Sequence, residues 1–174
     1  MDRPPDLPER LKELFNLQPL PGEGGLFAQT YQSDAEIPAG ALPKGYTGAH
    51  PYGTAILYLL TAEPGSFSAL HCLPTDEIYH FYLGDPVEIL LLYPDGSSGH
   101  AVLGQGVLAG QHVQLVVPAG VWQGARLREG GQFALLGTTM APGYTPTDYH
   151  PADREALLAQ YPREVELIRK LMRE

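Results

Sequence analysis

The sequence predicts an all-β protein, an antiparallel sandwich or barrel, with a short helix before it and two short helices after it. Three observations carry that expectation. From Thr54 onward, eight segments of strand character follow one another. Short turn signals separate them, with no helical pattern between, which favours antiparallel neighbours over βαβ units. Glycine (20) and proline (17) are spread along the whole chain, so many turns and few long helices follow.

The elements can be justified in order. Residues 6–15, DLPERLKELF, put Leu7, Leu11, Leu14 and Phe15 on one side at helical spacing, with Pro8 near the start, where its missing N–H costs little. After the breakers of PLPGEGG, LFAQTYQS alternates apolar and polar residues through Phe27 and Tyr31, which suits a half-buried strand. Residues 34–53 hold three prolines and four glycines with little periodicity, and read as a long loop of the kind that forms lids or binding segments. The strands TAILYLLT, FSALHCL, EIYHFYL, VEILLLY, HAVLGQ, HVQLVVP, VWQGARL and QFALLGTTM come next. Beyond PGYTPTDYHP, Leu157, Leu158, Tyr161, Val165, Leu167, Ile168 and Leu171 fall on helical faces, with Pro162 placed to open the second of two helices. A chain of 174 residues with 44% apolar content fits one domain, residues 1–174, with a β core at about 24–150 and a helical segment at 151–174.

Charge excludes some functions. Eleven basic residues stand against 20 acidic ones, a formal charge of −9, which works against nucleic acid or an anionic membrane as partner. The single Cys72 cannot form an internal disulfide, and its neighbours offer no cation to activate it as a nucleophile. MDRPPDLPER lacks the layout of a secretory signal, and no apolar run approaches the ~18 residues of a membrane span. A cytoplasmic protein acting on a small molecule is the expectation.

The most informative stretch is GSFSALHCLPTDEIYHFYLG, residues 65–84. His71 follows Gly65 by six positions, Glu77 follows His71 by six and Gly84 follows Glu77 by seven. That spacing resembles the first signature of the cupin barrels, Gly-x5-His-x-His-x3,4-Glu-x6-Gly, with Leu73 in place of the second histidine. Alternate strand residues share a face, so His71 and Glu77 can meet across a hairpin. A divalent transition metal takes imidazole nitrogen and carboxylate oxygen at roughly 2.0 to 2.2 Å and wants at least three protein ligands. The second cupin signature is echoed in PAGVWQ, where Gln123 replaces the histidine and supplies a weaker third donor. Two readings stay open: His71, Glu77 and Gln123 hold one metal (zinc, nickel, manganese or iron), or there is none and the pair is hydrogen-bonded in a barrel. Tyr79 and Phe81 share the parity of Glu77 and are expected to line the cavity, with Trp122 beside Gln123. His80 has the opposite parity and would need a bulge to turn inward, where it becomes a further substrate contact.

Residues outside the hairpin carry a closer likeness. GEGGLFAQTYQS, TDEIYHFYLGDPVEILLLYPDG, VPAGVWQGAR and MAPGYTPTDY occur in the order and spacing of one cupin family, long catalogued as a domain of unknown function and also called cupin-5. The chain resembles that family over roughly residues 11–150. The resemblance implies a double-stranded β-helix jelly roll, commonly a homodimer, with a pocket in the barrel mouth. Glu23 matches the family's acidic position, and Asp148 with Tyr149 its terminal Asp-aromatic pair. Gln32 stands where the family usually has arginine, which weighs against an anionic substrate.

Three functions compete. A cupin-type enzyme would use the metal to polarise a substrate oxygen, or, as in the epimerases this barrel resembles, would use His71 as general base, Glu77 to orient its other nitrogen and a tyrosine, Tyr144 or Tyr79, to return a proton. Only Arg126 and Arg128 lie near the pocket sequence, so a neutral sugar-like molecule or a small acid is expected rather than a nucleotide sugar. The alternatives are a sensor that binds the same ligand without turnover, and a scaffold whose pocket is vestigial.

Overall fold

The computed structural model describes Pro4 and residues 6–173. The chain runs α1 (Leu7–Leu14), β1 (Gln18–Pro19), β2 (Leu26–Gln32), β3 (Glu36–Ile37), β4 (His50–Pro51), β5 (Thr54–Thr61), β6 (Ser68–Cys72), β7 (Glu77–Gly84), β8 (Val87–Leu92), β9 (Ser98–Leu103), β10 (Gln114–Val117), β11 (Trp122–Leu127), β12 (Phe133–Met140), β13 (His150–Pro151), α2 (Arg154–Gln160) and α3 (Val165–Lys170). Each of the eight strands expected after Thr54 is present. A six-stranded sheet has the order β1-β2-β5-β12-β7-β10 and a five-stranded sheet the order β13-β6-β11-β8-β9. The chain switches sheets repeatedly along its length, as a jelly roll does. No described helix is long and apolar enough to cross a membrane.

Strand alternation explains three separate cores. Inward residues of both sheets, among them Tyr58, Leu60, Tyr79, Phe81, Ile89, Leu91, Ala125 and Leu136, form the interior of the sandwich. The segment VEILLLY is apolar on both faces because both are covered: Leu90 and Leu92 point outward against Leu157, Tyr161, Ile168 and Leu171 of the C-terminal helices and the residues that end them. Burying each of those large side chains contributes on the order of 1.5–3 kcal/mol, enough to hold two helices too short to persist alone. On the opposite sheet Leu11 and Leu17 cover Leu59, Phe133 and Leu135.

Two boundaries differ from the sequence reading. The long loop at 34–53 contains the ribbon β3–β4, in which Glu36 pairs with Pro51 and Ile37 with His50. Two-residue strands carry no periodicity, so the pairing is set by tertiary contacts. Pro162 does not open the last helix: α3 starts at Val165, and Pro162 lies in the turn after α2, where Tyr161 is tied to Leu157 and its hydroxyl to Tyr93 O at 2.7 Å.

Candidate functional site

A cavity of about 290 Å³ opens between the ends of both sheets. It receives Glu23 from the loop before β2, Phe27 and Gln29 from β2, Thr54 and Ile56 from β5, His71 from β6, Leu73 just beyond it, Glu77 from the start of β7, Thr138 and Met140 from β12, and Tyr144 and Tyr149 from the segment after β12. The loop before β2 needs its glycines. Gly25 has φ +65°, and a Cβ there would lie 2.7 Å from the Tyr58 hydroxyl, while Gly24 at φ +103° packs directly against Arg173.

His71 is 1% exposed. Its Nδ1–H donates to Ala69 O at 2.8 Å, a bond that places the proton on Nδ1 and leaves the lone pair on Nε2. Nε2 has no hydrogen-bond partner among the described residues; the nearest ionisable oxygen, Glu77 Oε2, is 4.0 Å away. The ring stacks on Tyr149 with centroids 5.5 Å apart and planes at 26°. The backbone carbonyl of Ala69 therefore orients the imidazole, not Glu77 as the sequence reading expected.

Glu77 is buried at the base of the cavity. Burial pushes its carboxyl above the ordinary glutamate value; His71 pulls it back, and Glu23 pushes it further up. Gln123, opposite His71 in the β11–β6 register, donates its Nε2–H to Glu77 Oε2 at 2.7 Å, and its own Oε1 is buried without a partner. Glu23 accepts a bond from Ser68 Oγ at 2.7 Å. Burial first, then Glu23 and Tyr144, drive the Tyr149 phenol up to about 12; burial, Glu23, Asp148 and Glu77 act in the same direction on Tyr144. Both phenols keep their protons near neutrality. Among the described residues, no lysine or arginine lines the cavity.

Of the residues singled out from the sequence, His71, Leu73, Glu77, Glu23, Tyr144 and Tyr149 meet in this cavity, and Gln123 reaches it through Glu77. The others lie elsewhere. Tyr79 and Phe81 do point inward, but β7 runs from the mouth into the sandwich at roughly 3.4 Å per residue, so they are buried in the interior core. His80 bonds Thr139 Oγ1 at 3.1 Å and Gln114 at 3.3 Å on the outer face, because the irregularity in the β12–β7 pairing falls beyond it, between Leu135 and Leu136. Trp122 packs with the C-terminal helices. Arg126 is ion-paired to Glu88 at 2.9 Å. Phe27, Gln29, Thr54, Ile56, Thr138 and Met140 escaped the sequence reading; only the inward parity of β2 could have marked Phe27 and Gln29.

A second buried pair stands nearby. His50 Nε2 lies 2.9 Å from Asp148 Oδ1 and 3.1 Å from Oδ2, its Nδ1 is 3.2 Å from Gly48 O, and the two residues are 0% and 2% exposed. Asp148 also accepts bonds from Thr145 N and Oγ1 in a capping box. This cluster ties the 34–53 loop to the segment that carries Tyr144 and Tyr149.

The donor set does not fit the divalent metal that the cupin signature implies. No three His, Cys, Asp or Glu residues among those described could hold an ion together. Leu73 lines the cavity where the second histidine would stand, and Gln123 presents an N–H, not its oxygen, toward Glu77. Two donors, His71 Nε2 and Glu77 Oε2, fall short of a stable site.

The chain is similar to known proteins along nearly its whole length. The family model Cupin_5, described as cupin superfamily (DUF985), matches residues 9–152. A protein from Shewanella oneidensis of known structure is 29% identical, with 99% of each chain covered and a TM-score of 0.81. A hypothetical protein from Leishmania major is 23% identical over 95% of this chain and 98% of that one, with a TM-score of 0.83. Oxalate decarboxylase of Bacillus subtilis shares the fold at 16% identity and a TM-score of 0.50, over 90% of this chain and 38% of that one. No curated protein sequence matches significantly. The chain belongs to the Cupin_5 family of the cupin superfamily.

Proposed function

We propose that this cupin binds a small polar molecule in its barrel mouth and moves a proton on it, as an isomerase or epimerase does, with His71 as the general base. The observation that carries this reading is the state of His71: Nδ1 is fixed on Ala69 O, and Nε2 points bare into a cavity of about 290 Å³. An imidazole fixed by one nitrogen, with the other open to a cavity, is placed as a general base must be. That volume holds a ligand the size of about ten water molecules at ~30 Å³ each.

In the proposed step Nε2 takes a proton from a carbon beside a substrate carbonyl. The imidazolium so formed faces the Glu77 carboxyl 4.0 Å away and lies on the Tyr149 ring, two interactions that favour the charged form. Tyr144 then gives its phenolic proton to the carbanion, which is basic enough to take it, and recovers one from His71 through solvent. Thr54 Oγ accepts the Tyr144 backbone N–H at 2.9 Å and holds that residue at the mouth. No step passes through a metal.

The test is solvent exchange. The protein is incubated in D₂O with neutral aldoses, ketoses and hydroxyketones, and deuterium at carbon is read by NMR. Exchange with wild type and its loss in His71→Gln is expected. Ligands that raise the melting temperature yet never acquire deuterium would overturn catalysis and leave a metabolite-binding protein.

A further inference from the structure

The ionisable side chains of the cavity have a one-sided character that points to the ligand. Its acidic side chains are Glu23 and Glu77, and no lysine or arginine lines it among the described residues. A third acceptor, independent of these acids, is His71 Nε2, on a side chain 1% exposed and without a hydrogen-bond partner. Arg173, whose charge is felt at Tyr149, does not enter: its guanidinium is bonded to the carbonyls of Glu23, Gly65 and Phe67 and lies 4.5 Å over the Phe67 ring. The remaining wall is uncharged: Gln29, Gln32, Thr54 and Thr138 add neutral polar groups, and Phe27, Ile56, Met140 and Tyr149 add apolar and aromatic surface.

An anion entering this space would meet two carboxylates and no cation. A neutral polyol could donate to the acceptors, yet it would bring no charge to offset the two acids, whose mutual influence is felt at Glu77. A protonated amine answers both conditions, because it brings positive charge and up to three N–H donors on one atom. Aromatic faces beside the acids add cation–π attraction for the same group.

We infer that the ligand of this cavity is a small primary amine, bound as its ammonium between the Glu23 and Glu77 carboxylates with its body against Phe27 and Tyr149. The inference rests on the reading of the cavity as a ligand site and deepens it by naming the substrate class; it does not depend on proton transfer. It also departs from the small acid that the sequence left open, since the Glu23 and Glu77 carboxylates repel one.

Two matched sets of probes test it: glucosamine, glucose and glucuronate, and benzylamine, benzyl alcohol and benzoate. Each is titrated against the protein by calorimetry and thermal shift. At least one amine is expected to bind about tenfold or more tightly than its neutral partner, the worth of one charge-assisted contact, and the carboxylates not at all. Glu23→Gln keeps an acceptor for Ser68 Oγ, so it is expected to fold with an unchanged melting temperature and to lose that preference. His71→Gln should still prefer the amine while losing deuterium exchange, which separates the two proposals. Binding of a carboxylate probe, equal binding of amine and alcohol, retention of the preference in Glu23→Gln, or no response to either amine at millimolar concentration overturns the inference.

Discussion

Two buried histidine–carboxylate pairs sit close to each other in this molecule and are built in opposite ways. His50 and Asp148 are in direct contact at 2.9 and 3.1 Å, with the other ring nitrogen on a carbonyl and the carboxylate filled by Thr145. His71 and Glu77 are 4.0 Å apart, with Nε2 bare and a cavity between them and the solvent. Equal burial thus accompanies unequal satisfaction. A pair whose hydrogen-bonding capacity is used up joins two segments of backbone. A pair held apart retains capacity for something that is not protein.

The contrast is easiest to break at the closed pair. Asp148→Ala strips His50 of its partner and Thr145 of its cap, and is expected to destabilise the fold by about 3–5 kcal/mol, read as the midpoint of urea unfolding. A loss below about 1 kcal/mol would mean that this pair is no latch.

At the open pair the same experiment should give the reverse. Glu77→Gln keeps an oxygen for the Gln123 N–H and is expected to slow deuterium exchange about 100-fold or more without weakening the fold. Because burial raises the Glu77 carboxyl, the folded chain binds more protons than the unfolded one above the ordinary glutamate value near 4.5. Stability from this group is therefore full below that value, falls as pH rises toward the raised one, and stays low above it. Glu77→Gln should match wild type in acid and gain on it with rising pH. Melting curves from pH 4 to 8 that run parallel would refute the sign. The smallest effect belongs to Tyr149→Phe, which removes a hydroxyl and leaves the ring on His71: the unfolding midpoint should move by less than about 0.5 kcal/mol, whereas Tyr144→Phe should abolish exchange.

The sheets were readable because strand patterns are local: EIYHFYL carries its inward face in its alternation, QFALLGTTM its burial on both faces in an apolar run, and the turns are spelled by glycine and proline. The spacing from His71 to Glu77 was readable for the same reason. Depth was not. Parity put Tyr79 and Phe81 on the correct face, but nothing local says that β7 descends from the mouth into the core. Partners distant in sequence were also hidden: His50 meets Asp148 across 98 positions of chain, and Glu23 meets Ser68 across 45. The orientation of His71 by a main-chain carbonyl two residues back leaves no mark in side-chain identity.

The bonds from Arg173 to the carbonyls of Glu23, Gly65 and Phe67 join the end of the C-terminal helices to the loop that carries a cavity acid, across 150 positions of chain. The Leu70 N–H, one residue from the His71-orienting carbonyl, is likewise held by Leu171 O. The outer helices thus brace the cavity from behind: the C-terminal segment anchors the Glu23 loop and one main-chain bond of the His71 strand, while the pairing of that strand with β11 stays independent of it.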